Sequence, residues 1–318
     1  MEVETTKEGF VGLSEGRVRY SIAGQPQGSE GATKAVVCVH GIDGSVEWWT
    51  WLAAHLSAEE TTATASTKWR CSKGFCVLSF DLYGRGQSSA PAKLHTPELF
   101  NQQIDELVTA LNFPQPFALV GHSLGGGIAV AYAAAHPEKV ESLVLIGPVG
   151  LPCAIPFGAE LDLESEDMTA QDFKDPSACQ DVIQVLQKAA AQLDMNAFAE
   201  AFANSFNNFP LLTMKQVVEA VGGDTWRTKR KKTGKKEGDE EEGEKQSLLI
   251  WGEEDEIVSF KACFGAYVQS LRPSHTLVVT RCKHSPHLER HGGGQRQDSC
   301  IPQRRSRATG GSHLNCFS

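Results

Sequence analysis

The amino-acid sequence predicts an α/β fold built on a mostly parallel central sheet, and three observations carry that expectation. Short apolar runs recur along the chain, apolar at successive rather than alternating positions. Helix-like stretches lie between them, and turn signals close the runs. Consecutive apolar residues suit strands buried on both faces, as in a parallel sheet, whereas a half-solvated antiparallel strand alternates. Strand alternating with helix then implies right-handed crossovers. With 318 residues, 41% of them apolar, the chain is long enough for one large domain carrying an insertion, or for two small ones.

Phe10 to Leu13 and Val18 to Ile22, around Glu15-Gly16, read as an antiparallel hairpin. The apolar runs that follow are Val36 to Val39, Val77 to Phe80, Phe117 to Val120, Leu143 to Ile146, Leu248 to Trp251 and Leu277 to Val279. A helix is expected after Thr96-Pro97, where Leu99, Ile104, Leu107, Val108 and Leu111 mark one face. Another starts after Gly125 and stops at His136-Pro137.

The alternation breaks between residues 151 and 226. Val182, Leu186, Ala189 and Leu193 recur at helical spacing after Pro176, Phe198, Phe202 and Phe206 do so on the next segment, and a third helix ends at Gly222. This pattern describes a helical subdomain inserted into the sheet's connections. Its Phe stripe is read as packing the cap onto itself, with an apolar substrate pocket as the alternative. Thr228 to Gln246 sets a run of Lys and Arg before a run of Glu. So few apolar groups do not offset ordering entropy, so a mobile surface loop is expected, with Lys229 to Lys232 as a solvated linker rather than a nuclear address. Ser57 to Ser72 lengthens a helix-to-strand connection. The expected division is a core part over 1–150, a cap over 151–226, a charged insert over 227–246, a second core part over 247–289 and a non-periodic basic tail over 290–318.

A formal net charge of −9 argues against a general nucleic-acid binder. Nine cysteines, an odd number without framework or metal spacing, suit a reducing compartment. Met1 to Phe10 lacks a secretory apolar stretch, and no run approaches the roughly 20 apolar residues needed to span a bilayer. A cytoplasmic location is the plain expectation.

Chemistry concentrates at strand ends. Gly121-His122-Ser123-Leu124-Gly125 lies between the Phe117–Val120 strand and an Ala-rich helix, the setting of a nucleophile elbow. Glycines two residues either side of Ser123 permit the tight turn, and the helix N-terminus favours developing negative charge. A serine nucleophile needs a base, itself oriented by an acid. Gly252-Glu253-Glu254-Asp255-Glu256 follows one late strand, and Cys282 to Glu289, with His284 and His287, follows the last. The His284, His287 and His291 group lacks the H-E-x-x-H spacing of a zinc site, so no metal is expected, and no cofactor is implied. His40-Gly41-Ile42-Asp43-Gly44 supplies glycine-flanked amides, and the oxyanion hole is assigned to the backbone N–H of Ile42 and Leu124. His40 reads as structural, Asp43 as a weaker acid candidate, and Trp48, Trp49 and Trp51 as packing at the mouth of the pocket or under the following helix. Asp81 to Ser88 reads as an ordered loop held by Asp81 and Arg85.

In chain order, H-G-x-x-G-S at 40–45, D-L-Y-G-R-G-x-S at 81–88, G-H-S-L-G-G at 121–126, W-G-x-x-D at 251–255 and H-S-P-H-L-E at 284–289 resemble the motifs of the α/β-hydrolase superfamily, in its capped branch of esterases, lipases and carbon–carbon bond hydrolases. The resemblance implies a sheet of the α/β-hydrolase type with an inserted helical cap. It selects Asp255 as the acid over its glutamate neighbours and His284 as the base over His287. The sequence departs from the family pattern in Lys283, where glycine is usual, in the charged insert, and in the Gly292-Gly293-Gly294 stretch where a supporting helix usually follows. The implied activity is hydrolysis of a carboxylic ester with a small or medium apolar acyl group, such as a monoacylglycerol. The alternatives are a carbon–carbon hydrolase of diketone-type acids and a non-catalytic binding relative.

Overall fold

The computed structural model describes residues 6–24, 34–57, 74–151, 195–228, 244–289 and 303–304. The expected helix around Val182 to Leu193, most of the 57–72 connection, residues 229–243 of the charged insert and nearly all of the tail lie outside the described residues.

The sheet comprises β1 (Thr6–Leu13), β2 (Gly16–Ala23), β3 (Lys34–Val39), β4 (Phe75–Phe80), β5 (Phe117–His122), β6 (Val140–Ile146), β7 (Gln246–Gly252), β8 (His275–Val279) and the two-residue β9 (Gln303–Arg304). The spatial order is β1-β2-β4-β3-β5-β6-β7-β8-β9. β1 and β2 form the antiparallel hairpin, β2 also pairs antiparallel with β4, and β3 to β8 run parallel. β9 pairs antiparallel with β8.

The consecutive apolar residues feed two cores because successive side chains point to opposite faces. Val37, Val39, Leu119, Leu143 and Leu249 enter the larger cluster with α2 (Pro97–Ala110), α3 (Leu124–Ala135), α5 (Lys215–Gly222) and α7 (Phe260–Leu271). Val36, Cys38, Val120 and Ile146 enter a smaller one, covered by the 3-10 turn Val46–Trp49, α1 (Thr50–Ser57) and the four-residue α8 (Pro286–Glu289). Cys38, Cys76 and Cys282 are buried free thiols, whereas Cys263 is disulfide-bonded.

Between β6 and β7 lie α4 (Met195–Asn208), α5 and the short α6 (Asp224–Arg227). The sequence expectation placed the helix ending at Gly222 in the cap. Instead α5 buries Val218 and Val221 in the main core, and a Cβ at Gly222 would meet the Ser270 carbonyl at 2.2 Å, so this helix belongs to the layer packed on the sheet. In α4 the buried residues are Ala201 and Ser205, while Phe198, Phe202 and Phe206 are half-buried and lie ring to ring along their own face. A single bridge between Thr228 and Glu244 joins the two ends of the charged insert. Among the described residues no helix is long and apolar enough to cross a membrane.

Candidate active site

Ser123 stands between β5 and α3 with φ 53° and ψ −117°, a backbone state that costs an ordinary residue about 1–3 kcal/mol. The turn is held from every side. The Ser123 N–H donates to the Ile146 carbonyl at 3.0 Å, and its own carbonyl accepts from the N–H groups of Gly126, Gly127 and Val149. A Cβ on Gly121 would sit 2.3 Å from the Gly125 carbonyl oxygen, and one on Gly125 would sit 2.2 Å from that of Val39. Both flanking glycines are therefore required by close backbone approach. Ser123 is 6% exposed and stands at the positive end of α3.

Asp255 follows β7 with its carboxylate fully buried. One oxygen accepts from the Ile257 and Val258 N–H groups, each at 3.0 Å, and the other meets His284 Nδ1 at 2.8 Å. Glu253, Glu254 and Glu256 are exposed beside it, so burial separates the acid from its neighbours. The bond to a carboxylate assigns the imidazole proton to Nδ1 and leaves the lone pair on Nε2. Beneath the pair lies Gly147, at φ +46°, where a Cβ would be 3.1 Å from the Asp255 carboxylate and 3.3 Å from His284 Nδ1.

The His284 loop is braced by side chains. Glu289, on α8, accepts from the N–H of Lys283 at 2.9 Å, the N–H of Ser285 at 3.1 Å and the thiol of Cys282 at 3.3 Å. His122 Nε2 donates to the His284 carbonyl at 3.0 Å, and the two rings lie 4.8 Å apart, which brings the base beside the elbow. His287 also approaches His122, with centroids 4.6 Å apart, but it stacks on Trp49 at 4.9 Å, and it is His284 that bonds the Asp255 carboxylate. The Glu254 N–H donates to the Cys282 carbonyl, locking the acid turn to the base loop.

The loop after β3 completes the arrangement. The Gly41 carbonyl accepts from His40 Nδ1 at 2.7 Å and from the Gly44 N–H at 3.2 Å. The trans peptide sets its N–H opposite its carbonyl, so this grip turns the Ile42 N–H the other way. A Cβ on Gly41 would be 3.3 Å from that of Ser123, which puts the loop against the elbow. Among the described residues no acceptor occupies the Ile42 or Leu124 N–H, and Leu124 opens α3, where first-turn amides have no helical partner. His40 Nε2 accepts from the Leu82 N–H, and burial pushes this imidazole down to about 3, so it stays neutral and structural. Asp43 is exposed by accessible area, yet desolvation raises its carboxyl while His284 and Arg85 act on it through space in the opposite sense.

Asp81 holds the 81–88 loop, accepting from the N–H groups of Val46 at 2.7 Å and Gln87 at 2.8 Å. Burial raises its carboxyl to about 6, with those two bonds and Arg19 pulling the other way. Sequence reasoning missed the parts played by His122, Gly147 and Glu289. Gly147, directly after a strand, carried a local signal, whereas His122 and Glu289 act through contacts that no spacing reveals. Among the described residues no group of His, Cys, Asp or Glu is placed to hold a metal.

A profile described as alpha/beta hydrolase fold matches residues 34–290. The chain belongs to that family. Within the alpha/beta hydrolases, human (lyso)-N-acylphosphatidylethanolamine lipase is 36% identical to it over 124 residues, which are 37% of this chain and 31% of the lipase. An Arabidopsis thaliana 1-acylglycerol-3-phosphate O-acyltransferase is 38% identical over 100 residues, 30% of this chain and 22% of the relative. The match thus spans less than a third of either curated relative's length. Among solved structures, the 2-hydroxy-6-oxo-6-phenylhexa-2,4-dienoate hydrolase of Rhodococcus sp. strain RHA1 superposes with a TM-score of 0.60 at 19% identity, over 90% of this chain and 94% of that one. At that identity the likeness speaks for the fold.

Proposed function

We propose that the chain is a serine hydrolase that cleaves carboxylic esters carrying a small or medium apolar acyl group, monoacylglycerol-like esters among them. The observation that carries this reading is the hydrogen-bonded Asp255–His284 pair set beside a strained serine at a helix N-terminus. Ser123 attacks the ester carbonyl while His284 Nε2 takes its proton, and Asp255 stabilises the imidazolium. The N–H groups of Ile42 and Leu124 receive the oxyanion, each such donor being worth about 3–4 kcal/mol of barrier. His284 then protonates the leaving alcohol, and a water activated by the same imidazole releases the acid.

Similarity to a lipase and an acyltransferase supports acyl chemistry on an apolar substrate. An ester is favoured over a diketone-type acid because Arg85, which borders the oxyanion loop, is bonded to protein oxygens and is not presented to a substrate carboxylate. Of the segment 151–226 read from the sequence as a helical cap, α4 is the described part that borders the 81–95 loop through Ser205 and Asn204. Cytoplasmic residence rests on the three buried free thiols, and the disulfide at Cys263 weighs against it.

The test is fluorophosphonate labelling of the purified protein beside the Ser123→Ala variant. Labelling that vanishes in the variant is expected. A folded wild-type protein that takes no label overturns the enzyme reading.

A further inference from the structure

We infer that Arg85 is a positioning residue for the oxyanion hole, a buried cation that couples the seating of α4 to the Ile42 amide; this rests on the serine-hydrolase reading. Arg85 is 1% exposed. Its Nε–H donates to the Ile42 carbonyl at 2.5 Å, Nη1 to the Tyr83 carbonyl at 3.4 Å and Nη2 to Ser205 Oγ at 2.9 Å. Among the described residues no carboxylate forms an ion pair with it. Its direct contacts are all neutral oxygens, and the one carboxylate acting on it, Asp43, does so through space without an ion-pair contact; an apolar side chain of similar size would fill the same space at lower cost. The charge therefore needs a purpose beyond packing.

Its position supplies one. His40 and Gly44 hold the peptide that carries the Ile42 N–H, and Arg85 holds the next peptide through the Ile42 carbonyl. Two consecutive peptide planes are thus fixed from behind, and the Ile42 N–H in the first keeps its aim. The guanidinium also sits one peptide away from where negative charge develops, in a region that excludes water and strengthens its field.

The other end of Arg85 reaches α4. Ser205 Oγ accepts from Arg85 and is also hydrogen-bonded to His95 Nδ1, 2.7 Å away. Asn204 anchors the same helix independently, accepting from the His95 N–H at 2.9 Å and donating to the Lys93 carbonyl at 2.8 Å. A line of hydrogen bonds therefore runs from His95 through Ser205 and Arg85 to Ile42. When α4 leaves, Arg85 loses an acceptor and the Ile42 peptide loses a fixed partner.

The experiment compares wild type with Arg85→Lys, Ser205→Ala and Asn204→Ala, with activity expressed per fluorophosphonate-titrated serine so that unfolded protein does not count. Two quantities are read: kcat and KM on p-nitrophenyl butyrate, and the inhibition constant of a trifluoromethyl ketone, which forms an oxyanion-bearing hemiketal with Ser123. An oxyanion donor is worth about 100- to 1,000-fold in kcat, so Arg85→Lys is expected to lose about 100-fold and Ser205→Ala about 10-fold. KM should stay within about twofold, and ketone binding should weaken in step with kcat. Asn204→Ala removes an anchor of α4 but leaves the Arg85–Ser205 bond in place, and should weaken ketone binding less than Ser205→Ala does. Equal weakening in Ser205→Ala and Asn204→Ala overturns the inference, as does unchanged ketone binding in both the Arg85 and Ser205 variants. Should Arg85→Lys fail to fold, Ser205→Ala decides. A wild-type chain that takes no label sinks the enzyme reading instead, and shows it before any variant is made.

Discussion

Ser123 is held by backbone alone, in a turn where neighbouring main-chain atoms leave room for nothing larger than glycine, whereas His284 is held by side chains reaching it from three directions. Backbone confinement is all-or-none, because an added Cβ at 2.2–2.3 Å from a carbonyl oxygen requires strand or helix to move. Side-chain bracing is graded. Removing one partner leaves others in place, so the base loop should degrade by steps where the elbow fails outright.

The sharpest way to break that contrast is Gly125→Ala or Gly121→Ala. Either is expected to cost more than about 3 kcal/mol of stability, through overpacking against immovable backbone, and to abolish labelling of Ser123. Thermal unfolding with a fluorophosphonate gel checks both; a stable, labelled Gly125→Ala protein would show that the elbow has slack. Next comes Asp255→Asn, which keeps the shape of the acid but favours the wrong imidazole tautomer. We expect kcat to fall about 10,000-fold with folding retained; steady-state rates on a chromogenic ester measure it.

Acid is a third lever, and it acts on α4. Burial holds His95 down to about 4, below its ordinary 6.5, and its Nδ1 is hydrogen-bonded to Ser205 on α4. A histidine with a lowered native pKa contributes stability that is complete above 6.5 and is lost as pH falls through about 4. At pH 5 the loss from His95 is about 2 kcal/mol, and His40 adds to it with the same sign. Denaturant melts at pH 7 and pH 5 should show the fall, and His95→Asn should reduce it by about 2 kcal/mol while the His40 and His122 contributions remain; an unchanged slope would exclude His95 as a source.

Smaller effects belong to the base loop. Glu289→Gln replaces a charged acceptor of two backbone N–H groups, and we expect about 1–2 kcal/mol of lost stability with a roughly tenfold drop in kcat. A drop as large as that of Asp255→Asn would mean that bracing is as unforgiving as the elbow. Cys282→Ser keeps a donor to Glu289 and should change kcat less than about twofold.

The same contrast explains what could be read from the sequence. The elbow was legible because its constraint is local: strand, glycines and helix adjoin in sequence. The six apolar runs became six parallel strands for a similar reason, since burial on both faces is written residue by residue. Choosing Asp255 among four adjacent acids needed a family resemblance, because what singles it out is burial and the Ile257 and Val258 amides. Glu289 gave no sign, as its work depends on how a short loop folds back on itself. Arg85 and Ser205, 120 residues apart, meet only in three dimensions. The helix ending at Gly222 was legible as a helix, but not its host, because an apolar face says that something covers it and not what.

The sheet order also fixes when this chemistry first exists. His122 and His284, which bond each other, are 162 residues apart, and β7 and β8 join the sheet beyond β6, which is made before them. At a synthesis rate of roughly 5–20 residues per second, the elbow leaves the ribosome about 10–30 s before its base. Throughout that interval the nascent chain carries a serine without acid or base and a β6 edge still waiting for β7. On the proposed serine-hydrolase reading, Ser123 therefore stays without its partners Asp255 and His284 until the last strands have docked.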